Sequence, residues 1–250
     1  MQPSWSVKPA WLVQEEQEVP DRVPEIKELL DLLGKYIGKR GEEDVAAVRL
    51  MEELTLQFPK CGPKDRASIA RGIGKCFSKK RKDLAEDQPD NSLYQPAAMC
   101  LGKMGSDATQ ILVKWIEHKT HRDNLILKRE LVLSLGLTKD LAALKCLSDL
   151  LQYNDANVIA WSAEALGQFI EKPEKVRKEI FSDILKVLVT TSEQQQDGSN
   201  TVAKERWETI KTPMYRTLGD LCGEHMRTAE EWQHWWNKNK RRDWDEKDSN

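Results

Sequence analysis

A short phrase that ends in glycine recurs along this 250-residue chain and constrains its fold more than any other feature. Its copies read AAMCLG, LVLSLG, SAEALG and MYRTLG, at 97–102, 131–136, 162–167 and 214–219, after a shorter form, ARGIG, at 70–74. Because the glycines stand at 74, 102, 136, 167 and 219, the steps between them are 28, 34, 31 and 52 residues. Self-similarity at steps of a few tens of residues is typical of helical repeat proteins. Each phrase is therefore predicted to be a helix whose final glycine adopts the left-handed conformation and turns the chain.

A second apolar pattern follows each glycine from Gly102 onward. One apolar residue is followed by others three and four positions later, which is the spacing of one helix face. The four sets are Leu112, Trp115 and Ile116; Leu147, Leu150 and Leu151; Ile184, Val187 and Leu188; and Trp232, Trp235 and Trp236. Long stretches of period-two alternation and hairpin signals are absent from the sequence. These patterns predict an all-α chain in which a helix–turn–helix unit repeats about four times.

The paired phrases resemble HEAT repeats over roughly residues 93–241. The last unit also resembles the ending of a group of bacterial HEAT-repeat proteins. That ending matches at Gly219, Thr228, Glu230, Glu231, Trp232, Trp235, Trp236 and Asn239. The resemblance implies a right-handed α-solenoid that is closed by a Trp-rich terminal pair, and it implies no particular activity. In this interpretation Trp232, Trp235 and Trp236 form a structural cap, because the end pair lacks a neighbour on one side.

Three regions are predicted along the chain. Residues 1–20 carry three prolines and no helical period, so they are predicted to be an extended arm. Residues 21–241 form one HEAT-like unit that begins with a helix capped by Asp21, has degenerate first repeats, and ends with the cap pair at 201–241. Residues 242–250 are a polar tail, in which Trp244 either folds back or stays exposed.

Charge is balanced overall but not locally. The formal net charge is only −2, which favours neither nucleic acid nor an anionic membrane as a partner. Between residues 60 and 82, however, nine basic residues accompany a single acid, Asp65. The candidate anionic-partner patch consists of Lys60, Lys64, Arg66, Arg71, Lys75, Lys79, Lys80, Arg81 and Lys82. A run of this kind is more often a solvated helix face than a binding site.

No residues are predicted to be catalytic or to bind a metal or a cofactor. His118 and His121 share a helical spacing, but further ligands are not found near them, so both are expected to be solvated. The glycine phrases at 34–41 and 72–76 lack the strand–loop–helix context of a phosphate loop. Five widely spaced cysteines fit neither a disulfide framework nor a zinc site. An apolar run long enough to cross a bilayer is also absent, so no membrane insertion is expected and a cytoplasmic location is favoured, with export after removal of a signal peptide as the alternative.

The position of a residue within its helix–turn–helix unit predicts whether it would face a partner. The exposed positions of the second helices are expected to line the concave face of the solenoid: Lys114, Glu117, Lys145, Asp149, Asp183 and Lys186. The first hypothesis is a non-enzymatic scaffold that binds a protein or peptide there. The second is nucleic-acid binding through residues 60–82, and the third is a lyase- or glycosylase-like enzyme on the same scaffold.

Overall fold

A computed structural model describes residues 20–86, 88–197 and 199–245 of the chain. Within these ranges the protein has eleven α-helices and no β-strand, which confirms the prediction of an all-α protein. The helices are α1 (Pro24–Gly38), α2 (Asp44–Gln57), α3 (Pro63–Gly74), α4 (Tyr94–Gly102), α5 (Ser106–Ile116), α6 (Leu125–Leu137), α7 (Leu144–Leu150), α8 (Ala156–Leu166), α9 (Glu174–Gln195), α10 (Thr201–Cys222) and α11 (Ala229–Asn239). Residues 1–19 of the predicted arm, with Trp5 and Trp11, lie outside the described residues, as do residues 246–250 of the predicted polar tail.

The helices alternate between two layers. In one layer α2, α4, α6, α8 and α10 pack side by side in chain order. In the other layer α1 packs on α3 and α3 on α5, the turn at 141–143 before α7 packs on α5, and α11 packs on α9. Ser148 on α7 donates a hydrogen bond of 2.8 Å to Asp183 on α9, which continues the second layer. We call these the even layer and the odd layer.

Several helices begin with a side chain that satisfies free backbone N–H groups. Asn124 accepts from the N–H of Leu127 at the start of α6, and Asp155 accepts from two N–H groups at the start of α8. At α11, Thr228 and Glu231 form a reciprocal capping box. This explains why threonine and glutamate occur three residues apart in the terminal motif.

The prediction that Asp21 caps α1 is wrong. The residue before α1 is Val23, and α1 has no side-chain cap. Asp21 instead accepts a hydrogen bond of 2.9 Å from the N–H of Asp65, in the first turn of α3. Asp65 in turn accepts one of 2.9 Å from the N–H of Val23, so two carboxylates tie the start of α1 to the start of α3.

The phrase ARGIG belongs to a different layer from its four counterparts. The phrases at 97–102, 131–136, 162–167 and 214–219 lie in α4, α6, α8 and α10, all in the even layer, whereas 70–74 ends α3 in the odd layer. The even-layer helix that precedes α4 is α2, which has no such phrase. The segment after Gly74 therefore lacks a second helix because α3 is itself the second helix of its pair.

The glycines of the even-layer phrases are not left-handed caps. In the described ranges only Gly41, Gly105 and Gly223 have positive φ among the glycines. Gly136 instead lies where α6 touches α8: a β-carbon built on it would lie 2.6 Å from the carbonyl oxygen of Ala165. At Gly136 the phrase therefore marks a close helix–helix approach that only glycine permits.

Replacing Gly136 with alanine is expected to lower the free energy of unfolding by about 1–3 kcal/mol, because the added methyl group overlaps backbone atoms of α8. Gly34 is the matched control, since it lies inside α1 with no heavy atom within 4 Å of a built β-carbon. Gly34→Ala should raise stability by about 0.5–1 kcal/mol through helix propensity alone. Urea denaturation would measure both changes, and equal effects at the two sites would contradict the close approach.

The C-terminal end of the odd layer is closed by aromatic side chains around Phe181 of α9. Trp232 is completely buried and lies 5.8 Å from the Phe181 ring, while Trp235 and Trp236 are half-buried at 5.4 and 5.1 Å. Trp244 folds back to 5.4 Å from the same ring. The three predicted cap residues thus pack on one side chain, but only Trp232 is a full core residue.

The segment after α11 is held in place by polar contacts. The indole N–H of Trp244 donates to the carbonyl of Asn239 over 3.1 Å, and its backbone N–H donates to Glu174 over 2.8 Å. The buried guanidinium of Arg177 donates to the carbonyl of Leu221 over 2.8 Å and also contacts Asp245. Residues up to Asp245 therefore belong to the folded end of the protein.

Candidate functional site

An apolar groove of about 450 Å³ lies between α5 and α7 in the odd layer. Its walls come from one face of α5 and from the turn at 141–143 together with α7. The lining residues are Gln110, Val113, Glu117, Ala142, Lys145, Cys146, Asp149, Leu150 and Tyr153. Apolar side chains form the floor, and the charged ones stand at the edge.

Buried neighbours hold the two walls of the groove in place. Leu112, Trp115 and Ile116 anchor α5 in the core, and Leu147 anchors α7. Because these residues occupy one face of each helix, the opposite positions are directed outward. The i, i+3, i+4 pattern in the sequence thus determines which side chains reach the groove.

The structure brings three of the six predicted concave-face residues to the groove. Glu117, Lys145 and Asp149 all line its edge and are exposed. Lys114 is exposed nearby, with its Nζ 5.3 Å from the centre of the Trp115 ring. Asp183 and Lys186 are exposed on α9, and they are not among the residues that line the groove. The six positions therefore share the odd layer without forming a single site.

Cys146 lies in the groove, but its thiol is not activated. Burial, followed by the negative charges of Glu117 and Asp149, raises the pKa of Cys146 to about 11. The nucleophilic form of cysteine is the thiolate, which at neutral pH is then a minute fraction. At this site Cys146 acts as a small, neutral, apolar side chain.

Lys128 and Tyr153 form an unusual polar pair beside the groove floor. The Lys128 side chain is only 1% exposed, and its Nζ lies 2.6 Å from the Tyr153 hydroxyl. The same Nζ lies 4.5 Å from the centre of the Tyr153 ring. Tyr153 lines the groove, so the pair connects a buried cation with the groove surface. Neither residue could be predicted from sequence, because the apolar pattern of α6 gives no signal for a buried lysine.

The predicted basic patch is smaller than the sequence suggested. Including Arg81 was wrong: its side chain is 2% exposed and makes a two-point ion pair with Asp44, with N···O distances of 2.7 and 2.8 Å. It also donates to the carbonyl of Ile37. Arg66 is half-exposed and pairs with Asp107 at 3.4 Å. The remaining seven are exposed: Lys60, Lys64, Arg71, Lys75, Lys79, Lys80 and Lys82.

Acidic side chains accompany part of this basic patch. A polar cavity of about 400 Å³ beside Lys80 and Lys82 is also lined by Asp83, Asp90 and Asp123. These carboxylates offset the lysine charges at the point where the segment is most basic in sequence. The patch therefore offers less positive potential to an anionic partner than its composition indicates.

The prediction that both histidines are solvated is wrong for His121. His121 is buried rather than solvated, and its Nε2–H donates to the carbonyl of Phe77 over 2.7 Å. Its ring lies 4.9 Å from Tyr94, and burial lowers the pKa of His121 below its usual value. His118 is half-exposed and accepts from the N–H of Thr120. Over the part of the chain that the structure describes, His, Cys, Asp and Glu side chains form no group of three that could hold a metal ion.

Comparisons with protein-family models, with curated proteins and with solved structures each gave no match. In the described ranges, no helix combines the length and the hydropathy needed to span a bilayer. The function is therefore inferred from the groove and its chemistry.

Proposed function

We propose that the chain is a right-handed α-solenoid of the HEAT type, and that it acts as a non-enzymatic scaffold which binds a protein or peptide in the groove between α5 and α7. Two layers that follow the chain order support the solenoid, since each helix pair then touches mainly its neighbours. The resemblance of the repeated phrases to HEAT repeats supports the same architecture.

The observation that carries the binding proposal is the composition of the groove. Val113, Cys146 and Leu150 provide an apolar floor, while the edge carries both signs of charge. Apolar pockets with a few placed polar groups are the usual docking sites for helices and short peptides. The raised pKa of Cys146 fits binding better than nucleophilic catalysis.

The basic patch supports nucleic-acid binding less well. Arg81 forms a buried ion pair with Asp44, and Arg66 forms an ion pair with Asp107. Three acids line the cavity next to Lys80 and Lys82. Phosphate binding gains affinity from uncompensated cations, which this segment only partly provides.

A selection from a displayed peptide library tests the proposal. Peptides enriched on the full-length chain should bind the Ala142→Arg variant at least about tenfold more weakly, because the arginine fills the groove. Ala142 is exposed in the turn before α7, so the change should leave the fold intact, which thermal melting would confirm. Ala85→Arg, at another exposed alanine, is the matched control and should bind like wild type. Enrichment of peptides that bind all three proteins equally would reject the groove as the binding site.

A further inference from the structure

The buried charge of Lys128 has one hydrogen-bond partner among the described residues, the Tyr153 hydroxyl. A lysine side chain carries three N–H donors, so one neutral hydroxyl satisfies only part of its capacity. The ring face of Tyr153 adds a weaker electrostatic contact. Buried cations are normally paired with a carboxylate, and Lys128 lacks one in the described part of the chain.

The pair leaves unused hydrogen-bonding capacity at a residue that lines the groove. Tyr153 accepts the hydrogen bond from Lys128, which leaves its own O–H free to donate. Within the described ranges that O–H has no acceptor, although Tyr153 lines the groove. A phenol that accepts from a cation is a stronger donor than an isolated one, because each hydrogen bond polarises the next.

Among the described residues, the cation in contact with Tyr153 that has no carboxylate partner is Lys128. Lys145 stands at the edge four residues before Asp149, so the edge of α7 carries one charge of each sign. Glu117 adds a second acid on α5, toward the far end of that helix. The groove lining itself thus carries two acids and one base, so the attraction for an anion comes from Lys128, which contacts Tyr153 without lining the groove.

We propose that the groove recognises a peptide segment in which an aspartate or glutamate side chain neighbours a leucine-sized apolar side chain. The carboxylate accepts the Tyr153 O–H and neutralises Lys128, while the apolar side chain lies on Val113, Cys146 and Leu150. This inference rests on the proposed function, and it adds the chemistry of the partner. The cation of Lys128, acting through the Tyr153 hydroxyl, is what selects an acidic segment over a basic or neutral one.

Two peptides of equal size provide the probe: N-acetyl-Leu-Leu-Glu amide and N-acetyl-Leu-Leu-Gln amide, titrated into the full-length chain by calorimetry. The glutamate peptide should bind about tenfold or more tighter, as expected for a hydrogen bond to a charged group. The preference should disappear in Lys128→Met and weaken in Tyr153→Phe. Lys186→Met, at an exposed lysine of α9, is the control and should keep the full preference.

A stability measurement separates recognition from a structural role. If Lys128 serves a ligand, Lys128→Met should keep or raise the midpoint of thermal unfolding, since it removes a buried charge that has no carboxylate partner. Should that variant fail to fold, Lys128 is structural and the inference is wrong. Equal binding of the two peptides, abolished by Ala142→Arg, would also overturn the inference while leaving the groove as the binding site. Binding of neither peptide would overturn it as well.

Discussion

Replacing Trp232 with alanine should lower the free energy of unfolding by about 3–5 kcal/mol, because the indole is completely buried against Phe181. Its ring closes the end of the odd layer, where α11 packs on α9. Removing it leaves a cavity in the contact between α11 and α9. Chemical denaturation followed by circular dichroism would measure the loss.

Two further substitutions control this prediction. Trp232→Phe keeps an apolar ring and removes an indole N–H that has no hydrogen-bond partner in the described structure, so it should cost less than about 1.5 kcal/mol. Trp235→Ala should cost less than Trp232→Ala, because Trp235 is only half-buried. If Trp232→Ala melts like wild type but abolishes binding to membranes or nucleic acid, the residue belongs to a binding surface and not to a cap.

Replacing Asp44 with asparagine should lower stability by about 3–5 kcal/mol, since it leaves the buried guanidinium of Arg81 without its carboxylate. The side chains of Arg81 and Asp44 are 2% and 7% exposed, so solvent cannot compensate for the lost partner. The pair ties the irregular segment after α3 to the start of α2. The unfolding transition in urea, with circular dichroism as the probe, gives the change directly.

An exposed ion pair provides the comparison. Lys139 and Glu171 lie 2.9 Å apart with side chains 42% and 72% exposed, and Glu171→Gln should leave the midpoint of urea unfolding nearly unchanged, because solvent screens this pair. The double variant Asp44→Leu, Arg81→Met should recover most of the loss, because no buried charge remains. If Asp44→Asn were as stable as wild type, the ion pair would not hold Arg81 in the fold, and Arg81 would again be a candidate for binding an anionic partner.

The helices and their buried faces could be predicted from sequence, because the spacing of apolar residues shows which helix face is buried. The phrases in α4, α6, α8 and α10 identified the even layer, and the spacing of Leu112, Trp115 and Ile116 identified the inner face of α5. The sequence could not predict which layer contains α3, because an amphipathic helix that ends in glycine has the same pattern in either layer. The geometry of Gly136 was missed for a related reason: its role depends on Ala165, in the next repeat.

The environments of single polar residues depend on partners far away in sequence. In the sequence Arg81 belongs to a basic run, and only the fold shows that it pairs with Asp44, 37 residues earlier. The sequence predicts a solvated His121, whereas in the fold its Nε2 lies 2.7 Å from the carbonyl oxygen of Phe77. Lys128 and Tyr153 are 25 residues apart on either side of α7, so only the fold brings them together. The positions of residues within their helix–turn–helix units predicted three charged residues at the groove edge, but they could not predict the Lys128–Tyr153 pair.

The most direct test of the groove is a hydrogen-exchange footprint of a bound peptide taken from the display selection. We expect slower exchange in residues 110–117 of α5 and residues 142–153 around α7, with the outer surfaces of α8 and α10 unchanged. Protection confined to residues 60–82, or to the even layer, would contradict the proposal that this protein binds its partner between α5 and α7.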